Sequence, residues 1–287
     1  MLRRLYLTTF ADYFWLGLTL TSFDNWVNGA LTPLKASAMV LVFLGEFARE
    51  LLHMHVFFYH QITDEARCYR PDKDLIMSIL RLKVSFGLAA AFSTYYGYFV
   101  WDSLSLSTLA KLYLEYLLMI LVKDLQLDVF HRWMHHGSIF GRKIDRWISS
   151  THKLHHRTKL NLNSISAFYT SMEDAVMENL AAPFAVLAFK WWFGWTPTIH
   201  IGAFMMYIVY DVHGHSANPY SVVFFNPILD YYMKANIAHH NHHVNGKMNH
   251  RVIPWRHFWN RKEVEQDLVI YNSMRTKKIT LHDLYGP

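Results

Sequence analysis

The chain has 287 residues, room for one or two ordinary domains, and is 52% apolar and 16% aromatic with only 17% charged residues, a bias away from soluble proteins. Its one cysteine, Cys68, excludes an internal disulfide framework and any cysteine-built zinc or iron–sulfur site. The net charge of +6 suits nucleic acid or an anionic membrane surface; the apolar runs decide for the membrane, and no nucleic-acid partner is expected.

The first apolar run, 5–23, is broken only by Asp12. Arg3 and Arg4 resemble the start of a signal peptide, but Asp12 interrupts the apolar stretch and no small-residue cleavage site follows, so a retained membrane helix is expected. The second run, 36–59, carries Glu46, Arg49 and Glu50, which points to a polar interior or an interface. The third, 84–101, is uncharged over 18 residues, the length of a bilayer span. The fourth, 109–130, is apolar at its centre, with Lys111, Glu115, Lys123 and Asp124 nearer its ends.

Two shorter runs, 179–189 and 198–210, flank Trp191-Trp192-Phe193-Gly194-Trp195-Thr196-Pro197. Each is short for a span, and the link has the aromatic, turn-rich character of a membrane interface. This hairpin is expected to dip into the membrane or to pack on the other helices. Basic residues crowd 61–83, the stretch from Arg132 to Lys159 and the stretch after Lys247, while 24–35 and 102–108 hold almost none. The positive-inside bias then places both termini and everything after the fourth span in the cytoplasm. The predicted architecture is all-α: a polytopic membrane helical bundle of about four spans plus the short hairpin, with a cytoplasmic helical cap. One domain covers 1–287, divided into N-terminal membrane helices (1–110), a histidine-rich catalytic region (111–260) and a tail (261–287).

Three histidine clusters repeat one spacing: His131-Arg-Trp-Met-His135, His152-Lys-Leu-His155-His156 and His239-His240-Asn-His242-His243. Steps of three and four residues stack imidazoles on one face of a helix, where neutral ring nitrogens converge on a metal. Scattered surface histidines do not reproduce such a spacing three times. The eight residues His131, His135, His152, His155, His156, His239, His242 and His243 exceed what one ion uses, so two ions are expected. Imidazole accepts iron, zinc, copper or nickel alike. Asp128 falls on the face of His131 and His135, with Asp124 one turn behind; a carboxylate there would fix the tautomer of a ligating ring. A charge at the end of a membrane helix is the alternative for both.

The pattern H-x3-H, H-x2-H-H, H-x2-H-H after membrane helices resembles the fatty acid hydroxylase/sterol desaturase superfamily, over roughly 111–259. Asp124, seven residues before His131, matches that family's aspartate; His131-Arg132 and His152-Lys153-Leu154-His155-His156 match its boxes; Glu173 matches the glutamate of its downstream H-P-x-E element. Thr170 and Ser171 stand where that element has histidine and proline, Asp128 replaces a frequent aromatic, and Asn245-Gly246 and Asn249-His250 echo the residues after the third box only loosely. The family carries a further ligand between its second and third boxes. Here His213 and His215 occupy that place, with His215 preferred for its G-H-S-x-N setting.

The resemblance implies a membrane-bound di-iron enzyme that uses dioxygen to hydroxylate or desaturate an unactivated C–H bond of a fatty acyl lipid, sphingolipid or sterol. It would sit in the endoplasmic reticulum of a eukaryote or the inner membrane of a bacterium. Zinc can replace iron in preparations. Electrons would come from an NAD(P)H-dependent reductase through a b-type cytochrome or ferredoxin, for no haem domain or G-x-G-x-x-G fingerprint is present. The alternatives are a histidine-rich metal transporter, which would need ligating residues inside the spans, and an aldehyde deformylase of the same superfamily. A zinc hydrolase would want a carboxylate base within a box, and none holds one.

Overall fold

The structure is a computed structural model and describes residues 32–53, 73–100, 105–136, 140–157, 167–215, 234–245, 257, 259–273 and 278–285. The first expected span, at 5–23, lies outside them. The described chain is mostly helical. In order it forms α1 (Pro33–His53), α2 (Lys73–Tyr95), a two-residue strand β1 (Phe99–Val100), and α3 (Leu106–Gln126), which runs through a π-helical turn (Leu127–His131) into α4 (Arg132–His136). Next come α5 (Arg142–His155), then α6 (Met172–Ala175), which continues through a second π turn (Val176–Leu180) into α7 (Ala181–Trp192). A second strand β2 (Ile199–His200) leads into α8 (Ile201–Gly214), and α9 (Ala235–Val244), α10 (Arg261–Ser273) and α11 (Leu281–Tyr285) close the chain.

Helices α1 and α2 pair along their length, with Met39, Val42 and Phe43 buried in the same core as Ile79, Leu82 and Phe86. Gly87 sets how closely they approach, because a Cβ there would lie 2.6 Å from the Val40 Cα, and small residues are what allow helix backbones to touch. Gly87→Leu should separate the pair and destabilise the protein by at least the about 1–3 kcal/mol typical of overpacking; thermal melts of the two purified proteins check this.

Only α2, over Ile76–Tyr95, is long and apolar enough among the described helices to cross a membrane. It starts earlier than the uncharged 84–101 window because Lys83 is accommodated, buried with its ammonium 4.2 Å from the Phe168 ring centroid. It stops at Tyr95 because Gly97 takes a left-handed φ of +74°, which ends the helix. The residues beyond form β1, which pairs in parallel with β2, Phe99 opposite Ile199. That small sheet joins two regions about a hundred residues apart in sequence, so local periodicity carries no trace of it.

The hairpin also differs from its expected form. Its first arm is one continuous helical run, Met172 to Trp192, that passes through a π turn, with Pro183 three residues beyond it. Proline has no N–H to donate and crowds the preceding turn. Two carbonyls of this π turn accept from other helices: Tyr207 donates its hydroxyl to the Glu178 carbonyl at 3.2 Å, and the Gln126 side-chain amide donates to that of Met177. Both arms pack on α3. Halfway along, Glu115 accepts from the Lys190 ammonium and, at 2.7 Å, from the His200 backbone N–H.

Around the apolar core, these helices bury two lysines and expose several large apolar side chains. Lys83 and Lys123 are buried, whereas Leu88, Phe92, Leu114, Leu121, Leu125 and Phe184 are exposed. Where β1 and β2 meet, Tyr95, Tyr96, Trp191, Trp192 and Trp195 are all more than half exposed, a group of surface aromatics at the far end of α7 from the histidines.

Candidate metal centre

Four helical segments deliver nine imidazoles to one place. His131 closes the first π turn and His135 follows one turn later on α4. His152 and His155 share a face of α5, and His156 is its C-cap. His215 follows the end of α8, and α9 supplies His239, His242 and His243. The remaining face of α9 points the other way: His240 packs on the Tyr271 ring (5.1 Å between centroids) and Asn241 donates to the Asp267 carbonyl at 2.9 Å. Thus the five-residue run His-His-Asn-His-His splits by helical geometry into three site residues and two that fasten α9 to α10.

The nitrogens form two groups. His131, His135, His152, His156 and His242 make one; His155, His215, His239 and His243 make the other, and within each group the candidate ligand atoms lie within 4.8 Å of one another. Nε2 of His152 is 3.1 Å from that of His135 and 3.0 Å from that of His156, while Nε2 of His215 is 2.9 Å from that of His155. Nitrogens about 2.1 Å from a common ion and at right angles to each other would be about 3.0 Å apart. The donor set therefore fits metal in both groups.

Proton placement supports the same conclusion. His152 Nδ1 donates to Asp174 Oδ1 (3.1 Å), with Glu178 Oε1 at 3.4 Å, and His215 Nδ1 donates to the Asp211 carbonyl (2.7 Å). Carboxylate and carbonyl oxygens only accept, so each ring keeps its hydrogen on Nδ1 and presents a bare Nε2 lone pair to its neighbours. Burial, and then the positive charge that His152 and His135 would carry, pushes His156 down to about 2. Burial likewise holds His155, His243 and His215 below the usual imidazole range, so they are neutral at physiological pH. For His152 burial acts downward too, but the Asp174 hydrogen bond and the Glu178 charge outweigh it and the net shift is upward. Converging neutral lone pairs call for a cation.

The carboxylates are not all where the sequence placed them. Asp128 is turned outward, with its side chain 37% exposed and paired to Arg132 at 3.3 Å. The cause is the π turn, which holds more residues than an α turn, so that Lys123, Leu127 and His131 share the inner face instead. Glu173 is exposed, and the carboxylates from that helical run that reach the histidines are its neighbour Asp174 and, one turn on, Glu178. Asp124 is buried. His213 lies in α8, but its side chain is outside the described set, as are Asn249 and His250. The departures at Thr170 and Ser171 have a local role. Thr170 Oγ1 donates to Asp174 Oδ2 at 2.5 Å, and Ser171 Oγ caps the helix by accepting from the Asp174 N–H at 3.1 Å. Ser78 on α2 anchors the same segment by donating to the Phe168 and Thr170 carbonyls.

A cavity of about 30 Å³ opens against the four-histidine group, lined by His155, His215, His239 and His243 together with His131, Lys123 and Tyr210. It has room for a molecule the size of water or dioxygen. In its wall Lys123 is 2% exposed, paired with Asp211, bonded to Asn179 Oδ1 at 3.1 Å and 5.2 Å from the Tyr207 ring centroid. A buried ammonium persists only with partners of this kind. These partners lie 56 and 88 residues away along the chain, so only the unusual presence of a lysine in an apolar run hints at them.

Of the other histidines, His200 is buried, with its Nδ1 accepting from the Gly202 N–H, and His257 meets Asp267 at 2.5 Å; neither belongs to the two groups. No protein-family model, curated protein or solved structure matches the chain.

Proposed function

We propose that the protein is an integral-membrane di-iron oxidoreductase, of the type its histidine boxes resemble, that uses dioxygen to hydroxylate an unactivated C–H bond of a lipid. The observation that carries this reading is the pair of mostly buried imidazole groups, five and four, beside a small cavity. The five-membered group is His131, His135, His152, His156 and His242, and the four-membered group is His155, His215, His239 and His243; both would hold iron. Bound iron would supply the activation of dioxygen.

The chain's own residues supply the setting. Asp174 and the Asp211 carbonyl orient one ring in each group. Leu127 adds an apolar wall to the cavity, and the four-histidine group faces that cavity, leaving its side accessible to a small reactant. The large apolar side chains exposed along α2, α3 and α7 support a lipid environment; α1 and α3 join α2 as spans in this reading. A histidine site at the ends of such helices suits an amphiphile whose head stays at the cytoplasmic surface while its tail passes between α3 and the hairpin. Electrons would arrive from a separate cytochrome or ferredoxin.

Untargeted lipid mass spectrometry of cells with and without the protein tests this, with elemental analysis of the purified protein alongside. A lipid product heavier by one oxygen, and near two irons per chain, are expected. Loss of two hydrogens would point to desaturation instead, and conversion of a fatty aldehyde to a hydrocarbon one carbon shorter would point to deformylation. If only a water-soluble metabolite changes, the lipid assignment fails.

A further inference from the structure

Helix α5 carries three of the nine histidines on one face and something different on the other. Ile148, Thr151, His152 and His155 are buried. Arg142, Lys143, Arg146, Lys153 and Arg157 are exposed, and no acidic side chain pairs with them among the described residues, whereas Arg132 nearby does pair, with Asp128. Beside this basic stripe Ile144 and Trp147 are exposed at 48% and 51%. Asp145 ties the start of the helix to the end of the α3–α4 run by accepting from Trp133 Nε1 (2.8 Å) and the Phe140 N–H (3.2 Å). Rings continue from there: Phe140 to Trp133 at 4.8 Å and Trp133 to Phe130 at 6.2 Å. Phe130 in turn adjoins Val129 and Leu125, exposed at 62% and 65% on the outer face of α3. Exposed apolar side chains thus flank both the end of the α3–α4 run and the start of α5, beside five cations.

We propose that α5 lies in the headgroup layer of a bilayer rich in anionic phospholipid, with Trp147, Phe140 and Ile144 at the acyl boundary and Arg142, Lys143, Arg146 and Lys153 on the phosphates. Charge complementarity, and the exposed apolar side chains shared with the end of the α3–α4 run, point to lipid as the occupant, and a docked acidic carrier is the outcome that the test distinguishes. Each basic side chain near an anionic surface contributes about a five-fold bias toward it, and an aromatic rim at that depth is the usual companion. Because the other face of α5 supplies His152, His155 and His156, the membrane surface would hold the ligand-bearing helix in place. The inference rests on the membrane part of the reading above and is independent of the oxidation chemistry.

The test uses the full chain with Cys68→Ser, reconstituted in nanodiscs of phosphatidylcholine alone or mixed with phosphatidylserine. A nitroxide is placed at Trp147→Cys or, as a control, at Ser273→Cys on α10. In anionic discs at low salt, the label at 147 should be shielded from an aqueous nickel chelate and open to dissolved oxygen. That shielding should weaken several-fold in neutral discs, in high salt, or with Arg142→Glu, Arg146→Glu and Lys153→Glu together, while the label at 273 stays exposed to the chelate throughout. High salt on the unaltered stripe covers the case in which the charge-reversed protein misfolds. A label at 147 exposed to the chelate in anionic discs overturns the proposal. So does shielding that ignores lipid charge, or shielding that appears only when an acidic carrier protein is added. Release of the protein from membranes by alkaline carbonate would instead overturn the membrane reading itself, and metal content measured on the same samples reports separately on the oxidoreductase reading.

Discussion

Alanine at His156 should abolish turnover and lower the metal content of the purified protein from two ions per chain toward one or none. His156 Nε2 lies 3.0 Å from that of His152 and 3.2 Å from that of His242, so its loss opens a gap in the middle of the five-imidazole group. His243→Ala should act on the other group, where His243 Nε2 is 3.0 Å from that of His239. Both losses exceed the 10–100-fold expected for a residue that only orients a ligand. His240 offers the discriminating control: it sits between ligands in sequence and is fully buried, yet it packs on Tyr271. His240→Phe should keep both ions and change mainly stability, and His282→Ala should change neither. Elemental analysis and turnover on the same preparations decide it. Full activity with one metal per chain would end the two-ion reading, and a His282 effect as large as that of His156 would undo the ligand assignment.

What the sequence reveals about this site is what local helical geometry controls. The steps of three and four residues within each box are enough to put imidazoles on one face, and all eight box histidines fall into the two groups. His215 joins them from outside any box, and its small-residue neighbourhood was the signal. Departures from local geometry were not legible in the same way. The π turn at Leu127–His131 contains neither glycine nor proline, and it alone separates an inward Asp128 from the outward one observed. The second π turn does have a marker, Pro183 within an apolar helical run. Reading that proline as a helix interruption sustained by other helices, and not as part of a short arm, would have lengthened the first arm back to Met172. The Lys123–Asp211 pair and the β1–β2 sheet depend on contacts between distant parts of the chain, which periodicity does not encode. The same holds for the membrane: composition suggested about four spans, but among the described helices the charges within α1 and α3 leave only α2 meeting the length and apolarity of a span.

Asp174→Asn should cost about 10–100-fold in metal affinity or turnover while leaving the fold intact, and Glu173→Gln should cost nothing measurable. The two residues are adjacent, so the comparison isolates which carboxylate acts. Asp174 is completely buried, accepts from His152 Nδ1 through one oxygen and from Thr170 Oγ1 through the other. Asparagine preserves its shape but removes the charge that favours a hydrogen on His152 Nδ1, and it turns one acceptor into a donor facing either the ring or the Thr170 hydroxyl. His152 would then lose, or keep only as a weaker uncharged bond beside Glu178, the contact that fixes its tautomer and aims Nε2 at His135 and His156. The helix start would survive, because Ser171 Oγ receives the backbone N–H of residue 174 and not its side chain. Thr170→Val should show a weaker version of the same defect, since it deletes one donor to Asp174 and leaves the charge. Metal titrations monitored by elemental analysis, with circular dichroism to confirm folding, separate these outcomes. A larger loss from Glu173→Gln than from Asp174→Asn would mean that the family's glutamate position, and not the buried aspartate beside it, governs the centre.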